Sequence, residues 1–236
     1  MLTIQVTPLI KVIAFDLDDT LWATKPTILR AEKKLNEWLK STVPQLQHTT
    51  ESMRELRSTI TDRDPELKKK ITELRRRIIE HALELSKVNS SDATEISHRA
   101  IEVFLVARNQ VEFFEGSLST LKHLSNKYIL GALSNGNADI KRIGLDDYFS
   151  FAFSAEQVGS PKPALDLFQA ALAHTNIQPS EMVYVGDDPI LDVDAANRAG
   201  LHSVWLRSPS KREPGETKAD IVIDLIEELP SALESL

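Results

Sequence analysis

The 236-residue sequence contains no cysteine and no apolar run of membrane-spanning length. Without cysteine the chain has no disulfide, no thiolate zinc site and no cysteine nucleophile, which is typical of a reducing compartment. The N-terminus also lacks the basic start and the apolar stretch of a signal peptide. We therefore expect a soluble cytoplasmic protein that has no membrane partner.

Excess positive charge is absent as well. The sequence has 28 Lys and Arg against 35 Asp and Glu, which gives a formal net charge of −7. This balance argues against general nucleic-acid binding and against binding to an anionic membrane surface. Apolar residues make up 42% of the chain, enough for a sizeable core. A disordered chain is thereby excluded, and the length fits one large domain or two smaller ones.

The most informative stretch is residues 11–21, KVIAFDLDDTL. Val12–Phe15 is an unbroken apolar run, as in a strand buried on both faces of a parallel sheet. Asp16, Asp18 and Asp19 follow at once, and unpaired carboxylates are too costly to bury for the strand to continue. Ligands of open α/β sheets bind beyond such strand ends, and Asp16 and Asp18 together suit a hard cation such as Mg²⁺. Considered alone, the stretch also fits a solvated turn.

From about residue 26 to residue 114 the pattern predicts four amphipathic helices with short links, which implies a helical bundle. The third helix is predicted to start at residues 64–66, DPE. It carries two basic runs, residues 68–70 and 75–77. We interpret these runs as a solvated face, and the alternative is a basic rim that attracts an anionic substrate.

After Gly116 the strand and helix patterns alternate, which predicts an α/β fold with a doubly wound parallel sheet. The later strands are predicted at residues 128–133, 151–154, 182–185, 203–206 and 220–223. Helices are predicted at residues 118–124, 140–143, 163–175 and 192–199. Since one strand precedes the helical block, we expect an α/β core of residues 1–22 and 115–236, with residues 23–114 inserted as a helical cap.

Chemically active side chains follow three of these strands. They are Asp16 and Asp18 after the first, Ser134, Asn135 and Gly136 after the second, and Asp187, Asp188 and Asp192 after a later one. Lys162 is predicted at a helix N-terminus, where free amides and the helix dipole favour anions. Strand ends of one parallel sheet meet at one edge, so the set suits a phosphate together with a divalent cation.

In this order the segments resemble the four motifs of the haloacid-dehalogenase-like (HAD) phosphatases. The matching segments are residues 15–20 (FDLDDT), 133–136 (LSNG), 162–163 (KP) and 185–188 (VGDD) with Asp192. The helical block is similar to the commonest cap of that family. Three further segments resemble the bacterial phosphatases that act on FMN and on 5-amino-6-(5-phosphoribitylamino)uracil: residues 28–30, 134–138 and 144–149.

The resemblance implies a magnesium-dependent phosphomonoester hydrolase acting on a small phosphorylated metabolite. Asp16 would form an aspartyl-phosphate, and Asp18 would serve as general acid and then as general base. Magnesium would sit on the Asp16 carboxylate, the Asp18 carbonyl and Asp187, with Asp188 or Asp192 orienting that shell. The phosphoryl oxygens would be held by Ser134, Asn135, Gly136 and Lys162.

Other functions fit the same fold. A dehalogenase needs no metal and typically lacks the second aspartate, so the presence of Asp18 favours phosphoryl transfer. A phosphomutase, a sugar-phosphate phosphatase or a catalytically silent binding protein are the remaining alternatives, and the protein is expected to be a monomer or a homodimer. We expect the cap to select the substrate. Trp22 either stacks on a flat substrate ring or packs at the cap hinge.

Overall fold

The computed structural model describes residues 10–46, 50–208 and 213–236. The chain divides into two compact units. One, which we call the α/β unit, runs to Ala23 and resumes at Glu112, and the other, the helical unit, is Thr24–Val111. Within the described ranges, no helix is both long and apolar enough to cross a membrane.

The helical unit is built from amphipathic helices whose apolar faces pack together. The α-helices are α1 (Thr24–Thr42), α2 (Thr50–Arg63), α3 (Ile71–Leu85) and α4 (Ser90–Arg108). Helix α4 packs against α1 and α3, and α3 also packs against α2. Leu35 and Leu39 of α1 lie in one buried cluster with Phe104 of α4. The predicted succession of four helices is therefore present.

The predicted start of the third helix is wrong. Residues 64–66 lead into a 3₁₀ helix, Pro65–Lys69, and α3 begins only at Ile71. Lys70 separates the two with non-helical backbone angles, φ −118° and ψ 73°. Proline suits the first turn of either helix type, so the start signal was real but the turn that followed it was not α-helical.

The interpretation of the basic runs as a solvated face is wrong for Arg76, which is only 7% exposed. Its Nε and Nη2 donate to the two carboxylate oxygens of Glu73 at 2.8 and 2.7 Å. Its Nη1 donates to Glu80 at 3.1 Å and to Ser97 at 3.2 Å. A buried guanidinium needs such partners, so Arg76 links α3 to α4 by hydrogen bonds.

The α/β unit contains one sheet of six strands in the order β3-β2-β1-β4-β5-β6, with every neighbouring pair parallel. The strands are β1 (Val12–Phe15), β2 (Ile129–Ser134), β3 (Phe149–Ser154), β4 (Met182–Gly186), β5 (His202–Leu206) and β6 (Ile221–Ile223). All residues of β1 are fully buried. The predicted doubly wound parallel sheet is confirmed. The strand order reverses between β1 and β4, which is where open α/β sheets bind ligands.

In the described part of this unit, six α-helices connect or flank the strands. They are α5 (Ser117–Ser125), α6 (Ile140–Ile143), α7 (Ala155–Val158), α8 (Asp166–Thr175), α9 (Ala195–Arg198) and α10 (Leu229–Ala232). Short 3₁₀ helices cover Pro179–Glu181, Ile226–Glu228 and Leu233–Ser235.

Two predicted helix starts near the sheet edge are wrong. Helix α8 begins at Asp166, not at Pro163, so Lys162 lies in a turn with a cis peptide to Pro163 rather than at a helix N-terminus. The helix predicted from residue 192 is a π-helix, Pro189–Asp194, followed by α9. π-Helical turns are rare and are frequent at functional sites.

Candidate active site

Asp16 continues directly from the central strand. Its backbone N–H donates to the Val185 carbonyl of β4 at 2.8 Å, so the ladder extends to the residue that ends the apolar run. The residue is only 7% exposed. The hydroxyl of Thr20, a fully buried residue, donates to Asp16 Oδ2 at 3.4 Å. Burial of this carboxylate requires partners, and the neighbouring strand end supplies them.

The π-helical turn after β4 folds back towards the sheet. Asp188 Oδ1 accepts hydrogen bonds from the N–H groups of Ile190 and Leu191 at 2.9 and 2.8 Å, which caps the turn. The Asp188 N–H donates to Asp192 Oδ2 at 2.9 Å. A Cβ on Gly186 would lie 2.4 Å from Asp192 Cγ, so only glycine lets this carboxylate come so close to the strand.

Asp16, Asp187 and Asp192 form a buried cluster in which one carboxylate oxygen of each lies within 4.8 Å of the others. Burial is the main cause that raises the pKa of Asp16 to about 8, and the charge of Asp192 acts in the same direction. The charge of Lys162 lowers this pKa but does not outweigh them. The cluster holds three carboxyl groups and one ammonium, so acidic groups outnumber cationic ones. Hard oxygen ligands with such an excess of acidic groups are what Mg²⁺ prefers in proteins, so the donor set fits the metal.

Lys162 joins the two strand ends. Its Nζ donates to Asp16 Oδ1 at 2.6 Å, to Asp192 Oδ1 at 2.7 Å and to the Tyr184 hydroxyl at 2.6 Å. Burial alone would lower the pKa of Lys162, but Asp16 and Asp192 outweigh it and raise that pKa above its ordinary value. The lysine is therefore a fixed positive charge inside the cluster.

The end of β2 positions this lysine. The Asn135 side chain accepts from the Lys162 backbone N–H at 2.7 Å and donates to the Lys162 carbonyl at 2.9 Å. Ser134 Oγ accepts from the Gly136 N–H at 2.9 Å. The sequence predicted phosphate binding for these three residues of β2 and its loop. Phosphate binding by these residues stays a prediction. The structure adds a second role for Asn135, which positions the backbone of Lys162.

Asp18 lies outside the carboxylate cluster and contacts Trp22. The Trp22 Nε1 donates to Asp18 Oδ1 at 2.9 Å. The Trp22 ring is fully buried and meets Phe113 edge-on, with centroids 5.7 Å apart. Stacking of Trp22 on a substrate ring is therefore wrong, because no face of the ring is accessible. The ring instead packs on Phe113 within the α/β unit, and a role at the cap hinge stays a prediction.

Sequence reasoning missed Tyr184. This residue is 1% exposed in the middle of β4, and its hydroxyl donates to the Leu133 carbonyl at 3.0 Å while it accepts from Lys162. The available signal was a phenol inside the apolar run MVYVG, because a buried tyrosine hydroxyl usually finds a hydrogen-bond partner. Which partner it finds depends on residues far away in the sequence.

Comparison with known proteins gives long matches. The family model for haloacid dehalogenase-like hydrolases matches residues 10–200. The chain is 34% identical over 199 residues to the 5-amino-6-(5-phospho-D-ribitylamino)uracil phosphatase YigB of Escherichia coli, and the match covers 84% of each protein. It is 29% identical over 161 residues to the phosphoserine phosphatase of Thermus thermophilus, covering 66% of this chain and 63% of that protein.

Among solved structures, a 2-haloacid dehalogenase from Pseudomonas syringae pv. Tomato matches with a TM-score of 0.93. It is 39% identical in sequence, and the match covers 96% of this chain and 99% of that one. This solved structure thus shares the fold over nearly the whole chain, and the names of the three relatives describe two different reactions.

Proposed function

Because the chain belongs to the haloacid dehalogenase-like hydrolase family and is similar to phosphatases along most of its length, we propose a magnesium-dependent phosphomonoester hydrolase with Asp16 as nucleophile. That the chain is a phosphatase of this family follows from its match to the family model and to phosphatases of the family. The cation, the covalent intermediate and the substrate are what the proposal adds.

The observation that carries the proposal is the buried cluster of Asp16, Asp187 and Asp192 within 4.8 Å. A phosphate dianion cannot approach these carboxylates unless a cation offsets the repulsion. The three carboxylates, with the Asp18 carbonyl that the family resemblance adds, would hold Mg²⁺. Bound there, the ion would neutralise phosphate charge and favour the ionised form of Asp16.

The side chains of the α/β unit then have distinct roles. Asp16 attacks phosphorus and the ester oxygen leaves, so that an aspartyl-phosphate forms. Lys162, 2.6 Å from Asp16, orients that carboxylate and offsets the charge that develops. Asp18 gives its proton to the leaving oxygen and later takes one from the hydrolytic water, while Trp22 fixes its position at 2.9 Å.

For the substrate we propose a flavin-type or ribitylaminouracil phosphate, either FMN or 5-amino-6-(5-phosphoribitylamino)uracil. The support is the 34% identity to the Escherichia coli phosphatase over 84% of both chains. Phosphoserine and sugar phosphates are the comparison substrates, since another relative is a phosphoserine phosphatase.

Dehalogenation is the second candidate reaction, because of the likeness to the 2-haloacid dehalogenase structure at 39% identity. Two features of this chain favour phosphoryl transfer instead. Asp18 is present where dehalogenases of this fold typically lack the second aspartate. In addition, a metal-independent reaction would not need two further carboxylates, Asp187 and Asp192, gathered around the nucleophile Asp16.

The test is release of inorganic phosphate from these esters and from p-nitrophenyl phosphate, with Mg²⁺ or with excess EDTA. We expect turnover with Mg²⁺ and none with EDTA. Undiminished turnover in EDTA would contradict the cation dependence, and a rearranged ester without phosphate release would indicate a mutase. Halide release from a 2-haloacid in EDTA would establish the dehalogenase instead, and no reaction at all would favour the binding protein.

A further inference from the structure

The π-helical turn that carries Asp192 contains a second buried aspartate, Asp194, which is 1% exposed. Its carboxylate accepts three hydrogen bonds from a distant segment. The Glu216 N–H donates to Oδ2 at 2.9 Å, and the Thr217 N–H and hydroxyl donate to Oδ1 at 2.8 and 2.6 Å. We call residues 215–219 the outer loop. All three of these hydrogen bonds come from the outer loop.

The outer loop fits closely against both ends of the turn. A Cβ on Gly215 would lie 2.4 Å from Asp194 Oδ2 and 2.7 Å from the Pro189 carbonyl oxygen, so a side chain at this position would push the two segments apart. Asn197, just after the turn, donates to the Thr217 hydroxyl at 2.7 Å and to the Lys218 carbonyl at 3.1 Å. The position of the turn and that of the outer loop are therefore coupled.

This coupling reaches the carboxylate cluster by two short paths. Asp192 is two residues before Asp194 on the same turn. Val193 lies between them and packs in a small buried cluster with Trp205 of β5 and with Ala219 of the outer loop. The Trp205 Nε1 donates to the Asp187 carbonyl at 3.1 Å. A shift of the outer loop would thus displace both Asp187 and Asp192.

We propose that Asp194 is a positioning residue for the metal site: by binding the outer loop it fixes the π-helical turn, and so keeps Asp187 and Asp192 at the spacing that a divalent cation needs. The inference rests on the proposed function in that it assumes a cation at the cluster. A buried carboxylate is costly, and apolar contacts alone could attach a loop. Three directional hydrogen bonds to one charged group add angular precision, which metal ligands require and mere attachment does not.

The test is Mg²⁺ binding by the full-length protein, measured by isothermal titration calorimetry. Asp194→Asn puts an amide where both oxygens now accept, and Gly215→Ala disturbs the same contact from the loop side. We expect either variant to weaken Mg²⁺ binding about 10-fold or more. Asp220→Asn is the matched control, because Asp220 also accepts a backbone hydrogen bond, from the Ser203 N–H at 2.9 Å, but belongs neither to the turn nor to the outer loop. Its Mg²⁺ affinity should equal that of the wild type.

Two further measurements separate positioning from folding. Urea unfolding in EDTA reports the stability of each variant, and Mg²⁺ titrations of p-nitrophenyl phosphate hydrolysis separate half-saturation from kcat. A positioning role raises the half-saturating Mg²⁺ concentration while kcat at saturation recovers. Unchanged Mg²⁺ affinity in both variants would overturn the inference, whatever their stability.

If Asp194→Asn and Gly215→Ala both fail to fold, a milder variant still tests the inference. Thr217→Val removes one of the three hydrogen bonds to Asp194 and should weaken Mg²⁺ binding by a smaller factor; an unchanged affinity there would also overturn the inference. If the wild type itself bound no Mg²⁺, the proposed cation dependence would fail, and the positioning role with it. Wild-type binding with unaffected variants would remove only the role of Asp194.

Discussion

At the scale of single residues, Asp16 is the side chain on which the proposed chemistry depends. Asp16→Asn should reduce turnover below about 1% of wild type, because an amide is a poor nucleophile and the substitution removes a charge from the metal site. The measurement is p-nitrophenyl phosphate hydrolysis with Mg²⁺, with circular dichroism to verify the fold. Asp19→Asn is the matched control, since Asp19 has φ 63° and asparagine tolerates that conformation. Substantial residual activity in Asp16→Asn would contradict covalent catalysis.

Tyr184 allows a second test at this scale. Tyr184→Phe removes only the hydroxyl, which leaves the Leu133 carbonyl and one Lys162 donor without their partner. We expect a loss of about 1–3 kcal/mol in the free energy of unfolding. We also expect kcat to fall roughly 10-fold to 100-fold, because the ammonium beside Asp16 is no longer held in place.

Urea unfolding and steady-state kinetics measure these two effects. Tyr128→Phe, which makes the same chemical change outside the site, should alter neither quantity. If Tyr184→Phe lost stability but kept the wild-type kcat, the hydroxyl would support the core without positioning Lys162.

The sequence could predict the charged residues of the site but not the groups that hold them. Asp16 and Asp187 were identifiable because carboxylates directly after buried apolar runs must lie at a strand end. The hold of Asn135 on the Lys162 backbone joins residues 27 apart in the chain, and local patterns carry no information about such a pair. The same is true of the partner that Tyr184 finds.

At the scale of elements, α3 shows where local signals were insufficient. The run of residues 75–77, three successive arginines, looks uniformly solvated in sequence, yet Arg76 is 7% exposed. Successive helical positions are about 100° apart, so three in a row cover more than half of the circumference and can place one member at the packed face. Arg76 tolerates that position because Glu73, Glu80 and Ser97 accept its hydrogen bonds.

This arrangement predicts unequal effects for two adjacent arginines. Arg76→Met should lower the free energy of unfolding by about 2 kcal/mol, because it removes the buried partner of two partly buried glutamates. Arg77→Met should cost about 0–1 kcal/mol, although Arg77 contacts the same Glu73 and Glu80 at 2.8 and 3.4 Å, because its side chain is 52% exposed. Urea unfolding followed by circular dichroism measures both, and equal effects would contradict a buried role for Arg76.

The same network predicts a dependence on pH. Hydrogen bonds from Arg76 lower the pKa of Glu73 below its ordinary value of 4.5. Burial would raise the pKa of Glu80, but the hydrogen bond from Thr94 and the charge of Arg76 outweigh it and lower that pKa. Since both pKa values are lower in the folded state, the stabilisation is present above pH 4.5 and is lost as the pH falls below it.

The difference in unfolding free energy between wild type and Arg76→Met should therefore be constant near neutral pH and shrink below the ordinary glutamate pKa. Unfolding curves collected from pH 7 down to acid give this difference directly. A difference that stayed constant into acid would mean that the two glutamates do not contribute through their charge.

At the scale of the whole molecule, the class of fold followed from the sequence because parallel strands buried on both faces appear as continuous apolar runs. The strand order β3-β2-β1-β4-β5-β6 did not follow, since all the runs have similar composition and any of them suits the centre. The long helical segment after β1 was equally predictable, because the spacing of apolar residues changes there to that of amphipathic helices. The spacing of apolar residues does not show whether each unit would fold without the other.

The α/β unit is formed from two stretches of chain that meet where the helical unit leaves and returns. The Phe114 N–H donates to the Leu21 carbonyl at 2.9 Å, and Trp22 forms a bridge with Phe113. A short Gly-Ser linker in place of Thr24–Val111 therefore has little distance to span, and we expect the remaining α/β unit to fold.

The excised protein tests which unit selects the substrate. The side chains of the α/β unit are those proposed to bind the phosphate and the cation, which the hydrolysis of every candidate ester involves, so we expect selection to come from the helical unit. We expect the excised protein to hydrolyse p-nitrophenyl phosphate with Mg²⁺, while its kcat/KM ratio between FMN and a sugar phosphate falls towards one. The excised protein carrying Asp16→Asn is the control for contaminating phosphatases. An excised protein that folds and keeps the full-length ratio would show that the α/β unit itself discriminates, and one that fails to fold would show that the two units depend on each other.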